Sequence, residues 1–204
     1  MRQGWRNESG ARMPTSLKQL GQIASIRSGH TLRGAITPDP EGDVRLLQIK
    51  DLDQDWQFDH KALPTVVWEQ RIAPPFLEQG EIVVAARGNR NLAVVYRGEV
   101  PVVATSQFLI VSLRRQEREI APEYLCWLLN HPMIQQEFYR SGTNIQLITK
   151  SALLDVAIPV PPLETQLQLI GLQRVWQKED ELINKLHKNR HQLELGILQT
   201  LLKD

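Results

Sequence analysis

A single cysteine, Cys126, stands among the 204 residues of this chain. That excludes an internal disulfide and points to a reducing compartment. It sits in the apolar run Tyr124-Leu125-Cys126-Trp127-Leu128-Leu129, where a thiol packs as a small hydrophobe rather than acting as a nucleophile. No apolar run approaches the ~20 residues needed to span a bilayer, and Met1 to Met13 has no signal-peptide core. The chain is therefore expected to be soluble and cytoplasmic, with no membrane contact. No glycine-rich loop follows a strand in a dinucleotide-binding pattern, and no lysine-bearing phosphate loop occurs. His187 and His191 lie four apart, as two metal ligands on one helix would, but no third ligand follows at suitable spacing. Neither cofactor nor metal is expected.

Proline is missing from the last 42 residues, and there the absence is informative. Three prolines, Pro159, Pro161 and Pro162, block a helix upstream, while a proline is welcome in a first helical turn. From Leu163 onward only Gly171 and Gly196 interrupt good helix formers. Apolar residues recur at steps of three and four, including Leu163, Leu167, Ile170, Val175, Leu182, Leu186, Leu193 and Ile197. A helix of about 40 residues would run ~60 Å, longer than a small domain is wide. It should project from its own domain and seek another surface for its apolar stripe.

Net charge is also scarce, at +1 overall, but it is unevenly spread. Residues 1–36 carry six Lys/Arg against one acid, residues 37–81 four against ten, and residues 82–150 eight against five. Such segregation permits a basic face on a nearly neutral protein. With 42% hydrophobic residues, the chain can bury one real core and carry an appendage.

The segment 1–14 reads as an irregular polar lead-in. Leu17 to Ala24 reads as a short helix capped by Thr15 or Ser16. Strands are expected at Val44 to Ile49, Ile82 to Ala86, Leu92 to Tyr96, Val100 to Ala104 and Phe108 to Leu113, the second and third pairing as a hairpin. Pro122 to Asn130 should be helical, broken at His131-Pro132 and resumed to Tyr139, with Thr149 capping a short turn before Val156. The expected architecture is an α+β domain over residues 15–160, followed by the long helix over 161–204.

The loops of this domain carry the side chains that DNA recognition uses. Arg87, Asn89, Arg90 and Asn91 crowd one turn. Arginine fits guanine edges in two-pronged fashion and asparagine fits adenine, while either can hold a phosphate. Ser141, Thr143, Asn144, Gln146 and Lys150 form a second group, and Arg27, His30 and Arg33 a third; Thr105-Ser106-Gln107 adds short polar donors. Two other classes compete. One is a protein-interaction scaffold that never touches DNA. The other is a metal-dependent nuclease built on Asp39, Asp43 and Lys50, but Gln48 stands where such chemistry wants a strand carboxylate.

Four pieces, taken in order, resemble a known family. They are Leu20-Gly21-Gln22-Ile23-Ala24 with Ser28-Gly29; Leu77-x-x-Gly80-Glu81-Ile82-Val83 to Arg87-Gly88; Ser141-Gly142-Thr143 before Ile148 to Leu154; and Ile158-Pro159-x-Pro161-Pro162-Leu163-x-x-Gln166. Together they resemble the DNA-sequence-specificity subunit of type I restriction-modification systems, in a half-length form. Thr165 departs from that pattern, which usually has an acid before the glutamine. The resemblance implies a non-catalytic target-recognition domain that reads double-stranded DNA. Methylation would belong to an adenine-methyltransferase subunit and cleavage to a motor-nuclease restriction subunit. Full-length relatives hold two recognition domains and two antiparallel helices; this chain has one of each. A homodimer through Leu182, Leu186, Leu193 and Ile197 would supply the missing half and read a bipartite inverted repeat.

Overall fold

The computed structural model describes residues 15–32, 37–52, 58–68, 71–87, 93–98, 100–117, 119–139 and 147–202. The chain divides into two compact units, Met1–Leu163 and Glu164–Asp204.

The first unit opens with strand β1 (Ser16–Gln19) and the single helical turn α1 (Leu20–Ile23), then β2 (Ala24–Ser28). The sequence reading of one helix from Leu17 to Ala24 is corrected here. β1 pairs antiparallel with β9 (Ala157–Val160), Ser16 opposite Val160 and Gln19 opposite Ala157. A ladder closed across most of the chain satisfies backbone groups that local propensity would have turned into a helix. The helix begins only where Gln19 and Gln22 form a reciprocal cap, with the Gln19 amide donating to Gln22 Oε1 at 3.0 Å.

Next come β3 (Val44–Leu47), a 3₁₀ turn at Ile49–Asp51, β4 (Thr65–Val66), β5 (Ile82–Ala85), β6 (Ala93–Val95), β7 (Val102–Ala104) and β8 (Phe108–Leu113). Two larger sheets result. One is antiparallel, in the order β2-β8-β5-β6; the other, β4-β3-β7, carries a parallel β3–β7 pair. The expected hairpin is present, with Ile82 opposite Val95 and Val84 opposite Ala93. Gly80, at a φ of 88° that suits glycine, turns the chain into β5.

Alternating side chains divide the burial between faces. Leu47, Val83, Val102, Ala104, Phe108 and Ile110 pack into one core with Tyr96, whereas Leu46, Val44 and Val103 pack with Val66 on the other side of the small sheet. Helices α2 (Pro122–Asn130) and α3 (Pro132–Tyr139) break at His131 as the sequence predicts. Tyr124, Leu125, Leu128 and Leu129 are the buried face of α2. The short α4 (Lys150–Leu154) is capped by Thr149, whose Oγ1 accepts from the Ala152 amide at 3.1 Å.

The second unit is one helix, α5 (Leu163–Leu201), running from the proline segment as the sequence predicts. At 39 residues it extends ~58 Å. Among the described residues, no helix is long and apolar enough to cross a membrane.

Candidate nucleic-acid interface

The turn Thr105-Ser106-Gln107 joins β7 of the small sheet to β8 of the large one, so it stands where the two sheets meet. It is closed by the Phe108 amide donating to Thr105 O at 3.0 Å, and neighbours grip it from four directions. From β3, Leu47 O accepts from both the Thr105 amide (3.0 Å) and Thr105 Oγ1 (3.1 Å). From the 3₁₀ turn, the Ile49 amide donates to Gln107 Oε1 at 3.3 Å; from β5, the Ala86 amide donates to Gln107 O at 2.9 Å. From the end of β2, the His30 amide donates to Ala104 O and the Gly29 amide to Phe108 O. A side chain at residue 29 would put its Cβ 2.0 Å from Thr105 O, so only glycine permits this approach.

Two of these grips bring an exposed cation to one rim. Lys50 follows Ile49 and Arg87 follows Ala86, so two cations flank the exposed Ser106 and Gln107. Arg87 also forms an isolated antiparallel bridge with Leu147, and the Ile148 amide donates to Ala86 O at 3.0 Å. That places the start of α4, with exposed Lys150, beside the same edge. Such a rim can engage phosphates through its cations and base edges through arginine and glutamine.

The residues expected from sequence fall into three groups. Arg87 and Lys150 lie on the rim. His30 joins it through a bridge to Thr105, but its ring leans on Trp68 (centroids 4.9 Å apart) rather than standing free. Arg27 is engaged inside the domain: its Nη2 donates to Glu81 Oε2 at 2.8 Å and to Phe76 O at 3.2 Å. Arg33, Asn89, Arg90, Asn91, Ser141, Thr143, Asn144 and Gln146 lie outside the described residues. Arg87 and Leu147, described residues that flank these candidates in sequence, bridge each other.

Sequence reasoning left Ser106, Gln107 and Lys50 out of the central set. Thr105-Ser106-Gln107 was visible as a polar tripeptide, but its position between the sheets depends on pairings far apart in sequence. Nor did it find the clamp on β6, where Asn130 Oδ1 accepts from the Ala93 amide and Asn130 Nδ2 donates to Ala93 O, both at 2.8 Å. This side chain imitates a neighbouring strand at the first residue of β6.

The other chemistries find less support. Asp39 Oδ1 accepts from the Glu41 amide at 2.9 Å, as a turn-forming carboxylate does, and Asp43 Oδ1 accepts from the distant Trp68 amide at 2.9 Å, so both are engaged with backbone. No cluster of three His, Cys, Asp or Glu able to hold a metal occurs among the described residues. Burial pushes the Cys126 thiol up to about 12, so it stays protonated and unreactive at neutral pH. On α5, Leu182, Leu186, Leu193 and Ile197 are 51–65% exposed.

A sequence model of the family described as "Type I restriction modification DNA specificity domain" matches residues 15–192, nearly the whole chain. The chain belongs to that family. Among solved structures, this specificity-family chain is similar to the HsdS subunit from Thermoanaerobacter tengcongensis (19% identity, 83% of this chain and 39% of that one, TM-score 0.58). It is likewise similar to a chain in a study of complex assembly and conformational transition of the type I R-M system (22% identity, 87% and 42%, TM-score 0.59). A third is the type I restriction-modification S subunit from M. genitalium (15% identity, 81% and 40%, TM-score 0.52). At these identities the likeness is one of fold. The chain spans about two-fifths of the length of each structure. No curated protein matches it significantly.

Proposed function

We propose that this chain is the sequence-reading component of a restriction-modification complex, and that it works as a homodimer. The observation that carries the reading is the rim at the Thr105–Gln107 turn. Lys50, Ser106, Gln107 and Arg87 stand on it, and the Arg87–Leu147 bridge brings the start of α4 to the same edge. Family membership supports double-stranded DNA as the ligand of this rim. The cations would position the domain on phosphates, and Arg87 and Gln107, together with Asn89, Arg90, Asn91, Ser141, Thr143, Asn144 and Gln146, would read bases.

The chain supplies no chemistry in this reading. An adenine-methyltransferase subunit, and in a full system a restriction subunit, would act where it binds; the setting would be the cytoplasm. The exposed apolar stripe of α5 supports pairing of two copies, each bringing one recognition domain to half of an inverted repeat.

Selection from a random duplex library tests this directly. Rounds of binding to the purified chain should enrich a two-part inverted repeat with a fixed gap. Affinity for unrelated duplex should drop steeply between low and moderate salt, as phosphate contacts demand. Flat enrichment together with no retention on heparin would favour a protein-interaction scaffold instead. Mg²⁺-dependent cutting by the chain alone, lost on Asp43→Ala, would favour the nuclease.

A further inference from the structure

Two charged residues lie on the apolar stripe of α5, and they fix how two copies can meet. Trp176, Ile183, Arg190 and Ile197 recur at seven-residue steps. Leu172, Glu179, Leu186 and Leu193 recur at the same step, three residues from their counterparts. These are the two interleaved rows of a coiled-coil seam. Glu179 and Arg190 are therefore seam residues by position, yet both are exposed. Among the described residues neither makes an ion pair, although Lys178 and Glu181 beside them pair at 2.7 Å.

We infer that α5 pairs with a second copy of itself, antiparallel, in the one register that sets Glu179 of each copy against Arg190 of the other. This rests on the homodimer reading above and specifies it. The two-fold axis then passes between Asn184 and Lys185. Ile183 meets Leu186 of the partner copy, Trp176 meets Leu193, and Leu172 meets Ile197. Each layer takes one residue from each row, as antiparallel seams require.

The competing arrangements fail on charge. Sliding the antiparallel pair by one heptad sets Glu179 against Ile183 or Ile197, and Arg190 against Leu172 or Leu186. Four charges would then be desolvated without partners, which is far costlier than an exposed charge. A parallel pair in register sets Glu179 against Glu179 and Arg190 against Arg190, so like charges meet twice. Only the inferred register neutralises all four. Surface shape agrees with it: a shallow groove on α5 is lined by Leu193, Gly196, Ile197 and Thr200. A Cβ on Gly196 would meet nothing within 4 Å in the isolated chain. The inferred register drops Leu172 of the partner copy into that groove.

Charge reversal in the full chain tests the register by sedimentation equilibrium. Glu179→Arg alone and Arg190→Glu alone should each weaken self-association by about 30-fold or more. Mixing the two variants should restore a dimer of wild-type affinity, as should both changes in one chain; this recovery shows that the singles still fold. Orientation is read by mixing Leu172→Cys chains with Ile197→Cys chains under mild oxidation. Cross-links between the two kinds, and none within either kind alone, are expected. A dimer indifferent to both single reversals, or Leu172→Cys chains that cross-link with one another, would overturn the register and leave the homodimer standing. A monomeric wild type would overturn both.

Discussion

Two arginines that look alike in the sequence sit differently in the structure. Arg27 and Arg87 both stand beside glycine-bearing polar loops, but Arg27 bonds Glu81, whose side chain is only 9% exposed. Glu81 also accepts from the Ser112 hydroxyl at 2.6 Å and the Glu78 amide at 2.9 Å. Removing Arg27 leaves a buried carboxylate without its counter-charge, so Arg27→Ala should cost about 1–3 kcal/mol of stability. Arg87→Ala touches an exposed side chain and should leave the melting temperature within error. It should instead lose ~1–3 kcal/mol of DNA affinity. Thermal melts and fluorescence anisotropy on the two variants separate the roles. Two buried protons make a further prediction. Burial raises Cys126 and Tyr124 to about 12, from ordinary values of 9.0 and 10.0. Folded pKa values above the unfolded ones mean stability that is full below pH ~9 and lost as pH rises toward ~12. Urea midpoints should hold from pH 7 to 9 and fall above that, and Cys126→Ala should soften the fall. A midpoint flat to pH 11 would remove these groups from the balance.

The elements legible in the sequence were those whose signals are local. Pro161-Pro162 and the unbroken run of helix formers gave α5; the apolar run at Ile82 and its returning partner gave the β5–β6 hairpin; His131-Pro132 gave the α2–α3 break. What stayed hidden was set at long range. β1 reads as helix until β9 is known to lie alongside, and nothing near Val44 or Val102 announces a parallel pair. The Thr105–Gln107 turn was therefore a minor feature in sequence and the hub of the rim in three dimensions. Its tightness gives a prediction at this scale. Gly29→Ala forces a Cβ to within 2.0 Å of backbone oxygen, where no side chain can rotate aside. The sheets must part locally, at ~1–3 kcal/mol or more, and DNA binding should weaken although residue 29 touches none. Gly171 on α5 is the control, since a Cβ there meets nothing within 4 Å. Gly171→Ala should stabilise the helix by up to ~1 kcal/mol. Equal effects from the two substitutions in thermal melts would contradict the difference in packing.

For the whole molecule, the decisive quantity is how much one recognition domain gains from the other. A single rim offers few contacts, and a domain that reads half a site alone binds it weakly. In the proposed dimer, two rims joined through α5 would convert the second contact into an intramolecular one. Affinity for a correctly spaced pair would then exceed that for one half-site by ~10²–10⁴-fold. The gain depends on the link and not on the rims, so it should be separable by mutation. Leu186→Asp with Leu193→Asp places four charges in the seam of a pair and should yield monomers in light scattering. Those monomers should bind a duplex carrying one half-site as the wild type does, since the rim is untouched. On the inverted repeat they should lose the ~10²–10⁴-fold advantage, and with it most sequence-specific methylation when an adenine-methyltransferase subunit is added. Inserting five base pairs between half-sites should impose the same loss on the wild type, because half a helical turn carries one site to the opposite face of the duplex. A wild type indifferent to that insertion would mean that the two domains are not held at a fixed separation, and that α5 serves the methyltransferase rather than a second copy.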